Sequence, residues 1–147
     1  MLTKLKRKYR KEPMIAALDV YLIMREILME LDSVEKNKEY LWVMGLSYSN
    51  KIKYIDLVSI GTLGGTIGEP REIFTYAIKF GGIGKIIIIH SHPSGNLTPS
   101  IADKNFTRQM IDAGKLLRIE VIDHLIISVR SYYSFNGTNQ EESQLPS

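Results

Sequence analysis

The chain has 147 residues, of which 44% are hydrophobic and 24% are charged, a composition typical of one globular domain. It has no cysteine, which excludes disulfide bonds, cysteine-ligated zinc and a thiol nucleophile. The longest apolar run, residues 86–89, is too short to span a bilayer, and no apolar signal-peptide region follows the basic N-terminus. These features predict a cytoplasmic protein that makes no membrane contact.

The positive charge is concentrated in a basic N-terminal arm, residues 1–12. Residues 4–12 contain six basic residues and one acidic residue, a net charge of +5, whereas the whole chain carries +3, so the remainder carries −2. A basic arm can make a weak contact with nucleic acid or with an acidic partner. The composition also suits a solvated, poorly ordered terminus, and we expect that state.

Hydrophobic periodicity predicts alternating helices and strands over residues 13–135. Pro13 is typical of a helix start, and apolar side chains then recur at helical spacing. The apolar run before His90 indicates a central strand covered on both faces. Asn50 is expected in the left-handed conformation of a turn, and the glycine-rich segment 61–69 is expected to be a loop. Predicted helices cover 14–31, 70–80 and 100–117, and predicted strands cover 40–46, 52–60, 85–90, 120–129 and 132–135.

The order of these elements predicts the fold class. A helix and a hairpin of two strands are followed by helices that alternate with strands. This order is typical of a single α/β domain with a mixed β-sheet flanked by helices, here residues 13–135. The polar segment 136–147 is predicted to be a disordered tail.

Two histidines stand where the central strand ends. His90 and His92 are two residues apart, so their side chains point to the same side of a strand and can reach one metal ion. Open α/β sheets bind ligands at the carboxyl ends of their strands. Ser100 is a good N-cap for the next helix, and Asp103 follows in its first turn, from which its carboxylate can face the histidines.

This set of residue types indicates a catalytic zinc site. Two imidazoles and one carboxylate supply three ligands, which leaves the fourth tetrahedral position of one Zn²⁺ for water. Each feature alone has a simpler explanation: surface histidines, an aspartate attracted by the helix dipole, and a serine that only caps. Their joint occurrence after an apolar strand favours the metal site, with His90, His92 and Asp103 as ligands.

The segment HSHPSGNLTPSIAD, residues 90–103, matches the JAMM pattern, His-x-His-Pro, six residues, then Ser-x-x-Asp. This pattern resembles the MPN-type zinc metalloproteases, which include deubiquitinating isopeptidases. Residues 39–135 are further similar to the bacterial RadC-like branch. The supporting motifs are PRE at 70–72, GTL at 61–63, HPSG at 92–95, TPS at 98–100 and DHLII at 123–127. The resemblance implies an MPN/cytidine-deaminase-like fold and a zinc metallopeptidase or isopeptidase.

The resemblance also implies roles for residues outside the ligand set. The family uses a glutamate as general base at the start of the first strand, where Glu39 stands, although the usual Glu-x-Phe has Leu41 in its third position. Asp56 is the alternative base, but its side chain is shorter. Ser100 is expected to hydrogen-bond the oxyanion or the water. His124 is expected in the core or behind a metal ligand.

Three functions remain open at this stage. The first is a zinc-dependent hydrolase that cleaves a peptide or isopeptide bond. The second is a RadC-like protein associated with DNA repair or nucleic-acid processing, although no basic patch interleaved with aromatic residues occurs outside the arm. The third is a non-catalytic MPN interaction module, which the three intact ligands argue against.

Overall fold

A computed structural model describes residues 1–61, 68–137 and 143–144. The predicted loop at 61–69 therefore lies mostly outside the described residues, as do residues 138–142 and 145–147 of the predicted tail. The helices are α1 (Ala17–Met29), α2 (Pro70–Ile73), α3 (Thr75–Lys79) and α4 (Ile101–Leu117), and short 3-10 turns cover Arg7–Arg10 and Glu35–Asn37. The strands are β1 (Glu39–Leu46), β2 (Ile52–Gly61), β3 (Lys85–Ser91), β4 (Glu120–Ile127), β5 (Ser131–Ser134) and β6 (Ser143–Gln144).

The strands form one mixed sheet in the order β2-β1-β3-β4-β5-β6. β1 pairs antiparallel with β2 and with β3, whereas β3 and β4 are parallel and are connected by α4. A parallel pair needs such a crossover, because the chain must return to the starting edge of the sheet. Helices cover both faces, so the predicted α/β domain with a mixed sheet is confirmed.

The central strands alternate their side chains between two hydrophobic clusters, one on each face of the sheet. The cluster beneath α1 contains Val20, Tyr21, Met24, Leu28, Tyr40, Trp42, Met44, Ile87, Ile89, Leu125 and Ile127. The cluster beneath α2, α3 and α4 contains Leu41, Val43, Ile73, Phe74, Ala77, Ile86, Ile88, Phe106 and Met110. This burial on both faces explains why β3 reads as an unbroken apolar run.

Two helix predictions need correction. The first helix begins at Ala17 rather than near Pro13, because Pro13 forms an isolated β-bridge with Lys51. The Asp19 carboxylate accepts hydrogen bonds from the backbone amides before Ala17 and fixes the later start. The predicted helix over 70–80 is interrupted at Phe74, whose buried ring packs into the core between α2 and α3. The turn prediction is confirmed, since Asn50 has φ of 65°.

The basic arm is packed against the domain rather than poorly ordered as expected, although most of its side chains are exposed. Its backbone extends along β2, with the Thr3 amide donating to the Ile55 carbonyl at 2.8 Å. The Lys6 ammonium binds the carboxylates of Glu26 on α1 and of Glu30 directly after it, at 2.9 and 2.5 Å. The Tyr9 ring is buried against the core. The arm therefore packs against the domain, because part of its charge is neutralised by α1.

Of the predicted tail, residues 136–147, the structure describes only 136–137 and 143–144. Ser143–Gln144 forms β6, which pairs with β5. Among the described residues, no helix is long and apolar enough to cross a membrane.

Candidate metal centre

The end of β3 places the two predicted histidine ligands. His90 lies opposite Leu41 on β1 and Ile126 on β4, so strands on both sides hold its backbone. The His92 amide donates to the Ile127 carbonyl at 2.9 Å, which extends the pairing by one residue. The chain then turns at Gly95, whose φ of 82° favours glycine. Both imidazoles are thus carried by a strand end that the sheet keeps rigid.

The first turn of α4 supplies the carboxylate. Ser100 is the N-cap: its Oγ accepts from the Asp103 amide at 3.0 Å, while Asp103 Oδ2 accepts from the Ser100 amide at 2.8 Å. These reciprocal bonds form a capping box and hold the aspartate side chain in one orientation. The predicted cap is therefore confirmed, and the Ser100 hydroxyl proton has no acceptor among the described residues.

The three predicted ligands meet in one cluster. His90 Nε2 and His92 Nε2 are 2.8 Å apart, and the carboxylate oxygens of Asp103 lie 3.5 Å from the first and 3.7 Å from the second. His90 and Asp103 are almost fully buried, whereas His92 is partly exposed at the rim. The three residues lie close enough together to hold one metal ion.

One hydrogen bond selects the tautomer of a neutral His92 ring. Its Nδ1 lies 2.7 Å from the carbonyl oxygen of Asn96. A carbonyl only accepts, so Nδ1 carries the proton and Nε2 presents its lone pair toward the cluster.

A chain of buried polar groups orients His90 in the same way. The Thr107 hydroxyl donates to the Asp103 carbonyl at 2.8 Å and so accepts from His124 Nδ1 at 2.6 Å. His124 Nε2 is then an acceptor and receives the Nδ1 proton of His90 at 3.0 Å. His90 Nε2 is therefore left with a free lone pair that faces the cluster.

Two bare ring nitrogens that face each other at this separation repel, unless a cation lies between them. Two ligands bound to one tetrahedral zinc at the usual Zn–N distance lie about 3.3 Å apart, about 0.5 Å more than the 2.8 Å between these two atoms. The nearby carboxylate adds a negative charge to the same space. The donor set therefore fits a divalent cation of the zinc type.

Burial keeps the rings of His90 and His124 neutral, and a neutral imidazole is the form that binds metal. It lowers the pKa of His90 to about 4, despite the opposing charge of Asp103, and it holds the pKa of His124 well below its ordinary value. Neutral imidazoles need lose no proton before coordination.

Glu39 adjoins this cluster, whereas Asp56 does not. Continuing the β1–β3 register beyond Leu41 and His90 by two residues brings Glu39 opposite His92. Burial raises the pKa of Glu39, and the nearby negative charge of Asp103 acts in the same direction. Asp56 lies on β2 opposite Val43, and its carboxylate binds the α-amino group of Met1 at 2.8 Å.

Sequence comparisons agree with this geometry. Residues 16–142 match the family model described as "RadC-like JAB domain". The chain belongs to the RadC-like JAB domain family.

Similar proteins of this family are called "UPF0758 protein". The chain is 43% identical over 101 residues to one from Chlorobium chlorochromatii, covering 69% of this chain and 45% of the relative. It is 40% identical over 117 residues to one from Flavobacterium johnsoniae, covering 80% and 48%. It is 47% identical over 97 residues to one from Clostridium botulinum, covering 66% and 42%. The chain therefore spans less than half the length of these relatives.

The RadC-like domain brings together His90, His92 and Asp103 as the sequence predicts, with Ser100 and Glu39 next to them. Sequence reasoning missed Thr107. Its one available signal was helical spacing, because Thr107 lies four residues after Asp103 and so on the same face of α4. The His124 position behind a metal ligand agrees with one of the two expectations for that residue.

Proposed function

We propose that this RadC-like domain is a zinc-dependent hydrolase that cleaves an amide bond, as a metallopeptidase or isopeptidase. The observation that carries the proposal is the pair of bare Nε2 atoms on His90 and His92, which face each other beside the Asp103 carboxylate. Three protein ligands leave room for water, which is typical of catalytic rather than structural zinc.

The surrounding residues suit the remaining steps. When bound, zinc supplies Lewis acidity and lowers the pKa of a coordinated water. The Glu39 carboxylate accepts a proton from the attacking water and gives it to the leaving amine as the C–N bond breaks. Its raised pKa favours this exchange near neutral pH. The free Ser100 hydroxyl proton can hydrogen-bond the oxygen of the tetrahedral intermediate.

A peptide library incubated with zinc-loaded protein tests the proposal. Mass spectrometry should detect cleavage that a chelator stops and that Glu39→Gln reduces about 10² to 10⁴-fold, the usual contribution of a general base. Asp56→Asn is the matched control, since it removes the alternative carboxylate, and it should stay near the wild-type rate. Cleavage that survives Glu39→Gln but not Asp56→Asn would show that Asp56, and not Glu39, is the general base. Zinc-loaded protein that cleaves nothing would support the interaction-module alternative.

A contact with nucleic acid is a secondary proposal for the basic arm. Lys6 and Lys8 bind carboxylates of α1, which reduces the charge that the arm offers. Within the arm, the exposed cations without an ion pair to any described residue are Lys4, Arg7, Arg10 and Lys11. Changing these four to Gln should abolish any salt-dependent binding of a labelled DNA duplex. Unchanged binding would exclude the arm as the contact. The cytoplasmic location remains a prediction.

A further inference from the structure

A cavity of about 590 Å³ opens beside the candidate metal centre and is lined in part by His92. Three chain segments and Leu28 of α1 line it. The segments are 36–37, which leads into Glu39; 91–95, which carries His92; and 127–131, which joins β4 to β5. Two of these segments also carry or adjoin residues of the candidate metal centre. A substrate that lies across the strand ends with its amide at the cluster would therefore extend into this cavity.

The cavity is positively charged. Lys36 and Arg130 line it, and its lining contains no carboxylate. Across the described part of the chain, neither side chain takes part in an ion pair. The acidic residue next to Lys36 in sequence, Glu35, has other partners. Its two carboxylate oxygens bind the Lys38 ammonium at 3.0 Å and the Tyr40 hydroxyl at 2.8 Å.

The remaining lining suits a short aliphatic stem. Val129 contributes apolar surface, the almost fully buried Leu28 and Ile127 lie behind the wall, and Ser94 adds a polar group at the rim. Apolar walls with a few cationic groups are typical of a site that holds a side chain whose charged end must be recognised. Lysine and arginine without carboxylate partners select an anion, and a carboxylate is the anion that peptides carry.

We propose that the cavity is a specificity pocket for a carboxylate on the substrate, within a few residues of the scissile amide. This inference rests on the proposed hydrolase function and names its substrate class: peptides or isopeptide conjugates that are acidic near the cleaved bond. The carboxylate is either an Asp or Glu side chain or a free C-terminus. Lys36 and Arg130 bind it and act as specificity-determining residues rather than catalytic ones.

Binding tests the pocket separately from turnover. The probes are fluorescent peptides of Gly, Ala and Ser with one Glu at each position in turn, matched by peptides with Gln there and by peptides with a free or an amidated C-terminus. Zinc-loaded Glu39→Gln protein is used so that peptides are not consumed. One acidic peptide should bind about tenfold more tightly than its uncharged match, consistent with two partly exposed ion pairs. The Glu/Gln peptides and the free/amidated peptides distinguish the two sources of the carboxylate.

Variants then assign the preference. Lys36→Gln combined with Arg130→Gln should reduce the ratio of affinities for the charged and uncharged peptides to about one. Lys53→Gln is the matched control, because Lys53 is exposed near the opposite end of the sheet, and it should keep the ratio. Equal binding of charged and uncharged peptides, or a preference that survives the double substitution, would overturn the pocket. If the binding preference is present but the wild-type protein cleaves no peptide, the result would instead contradict the proposed hydrolase function.

Discussion

Removing the hydroxyl of Thr107 should weaken zinc binding although this residue does not touch the ion. In Thr107→Val the side-chain shape is kept, but His124 Nδ1 loses the acceptor that lies 2.6 Å away. His124 then lowers its energy by moving its proton to Nε2, which donates to His90 Nδ1. That change forces the His90 proton onto Nε2, the atom that must bind zinc.

The size of the effect follows from the buried hydrogen bond. An unsatisfied buried donor costs about 1–3 kcal/mol, and loss of an outer partner of a metal ligand typically lowers metal affinity about 10 to 100-fold. We expect a zinc Kd about 10 to 100-fold higher for Thr107→Val. Thr107→Ser keeps the hydroxyl and should change the Kd less than about threefold.

Competition with a chromophoric chelator measures the Kd, and imidazole ¹⁵N shifts of the metal-free protein report the His90 tautomer. A role in packing alone would lower the stability of metal-free Thr107→Val and leave both the Kd and the tautomer unchanged. Equal zinc affinities for the Val and Ser variants would refute the hydrogen-bond chain as the device that orients His90.

Three further predictions concern the ligands, the acid response and the arm. Elemental analysis should show that Asp103→Ala no longer binds stoichiometric zinc, and zinc retained by this variant would contradict the ligand set. Ser100→Ala should still bind zinc but should lose about 1 kcal/mol of stability, because the substitution removes the helix cap. In the folded, metal-free protein, burial lowers the pKa of His90 to about 4. As the pH falls from 6.5 to 5, the unfolded chain therefore binds a proton at His90 that the folded chain does not bind. Urea unfolding should show about 2 kcal/mol lost from this group across that interval, and a flat profile would refute its burial in neutral form. Tyr9→Ala should lower the free energy of unfolding by about 2 kcal/mol, because the ring is buried, and no change would mean that the arm is solvated.

The strands and the ligands were the most predictable parts of this chain. Alternating or continuous apolar residues determine burial locally, so the bounds of β1 to β5 agree with the expected ones to within two residues. The cluster of three residues was predictable because His90 and His92 share a strand face and Asp103 lies in the first turn of α4. Spacing along the sequence therefore predicts most of the residues of the candidate metal centre.

Contacts between distant segments were not predictable in this way. The arm packs on α1 because Glu26 and Glu30, about twenty residues further along, bind Lys6. Pro13 does not start a helix because it pairs with Lys51. The role of Thr107 depends on His124, which lies on a strand that the sequence does not place behind His90. Such relations depend on the sheet order, which spacing along the chain does not reveal.

Zinc-edge anomalous diffraction from crystals of the zinc-loaded protein tests the central claim most directly. We expect one strong anomalous peak, bound by His90 Nε2, His92 Nε2 and an Asp103 oxygen at about 2.0–2.2 Å, with a fourth position open to water. A peak held by other residues, or no peak at stoichiometric zinc, would contradict it.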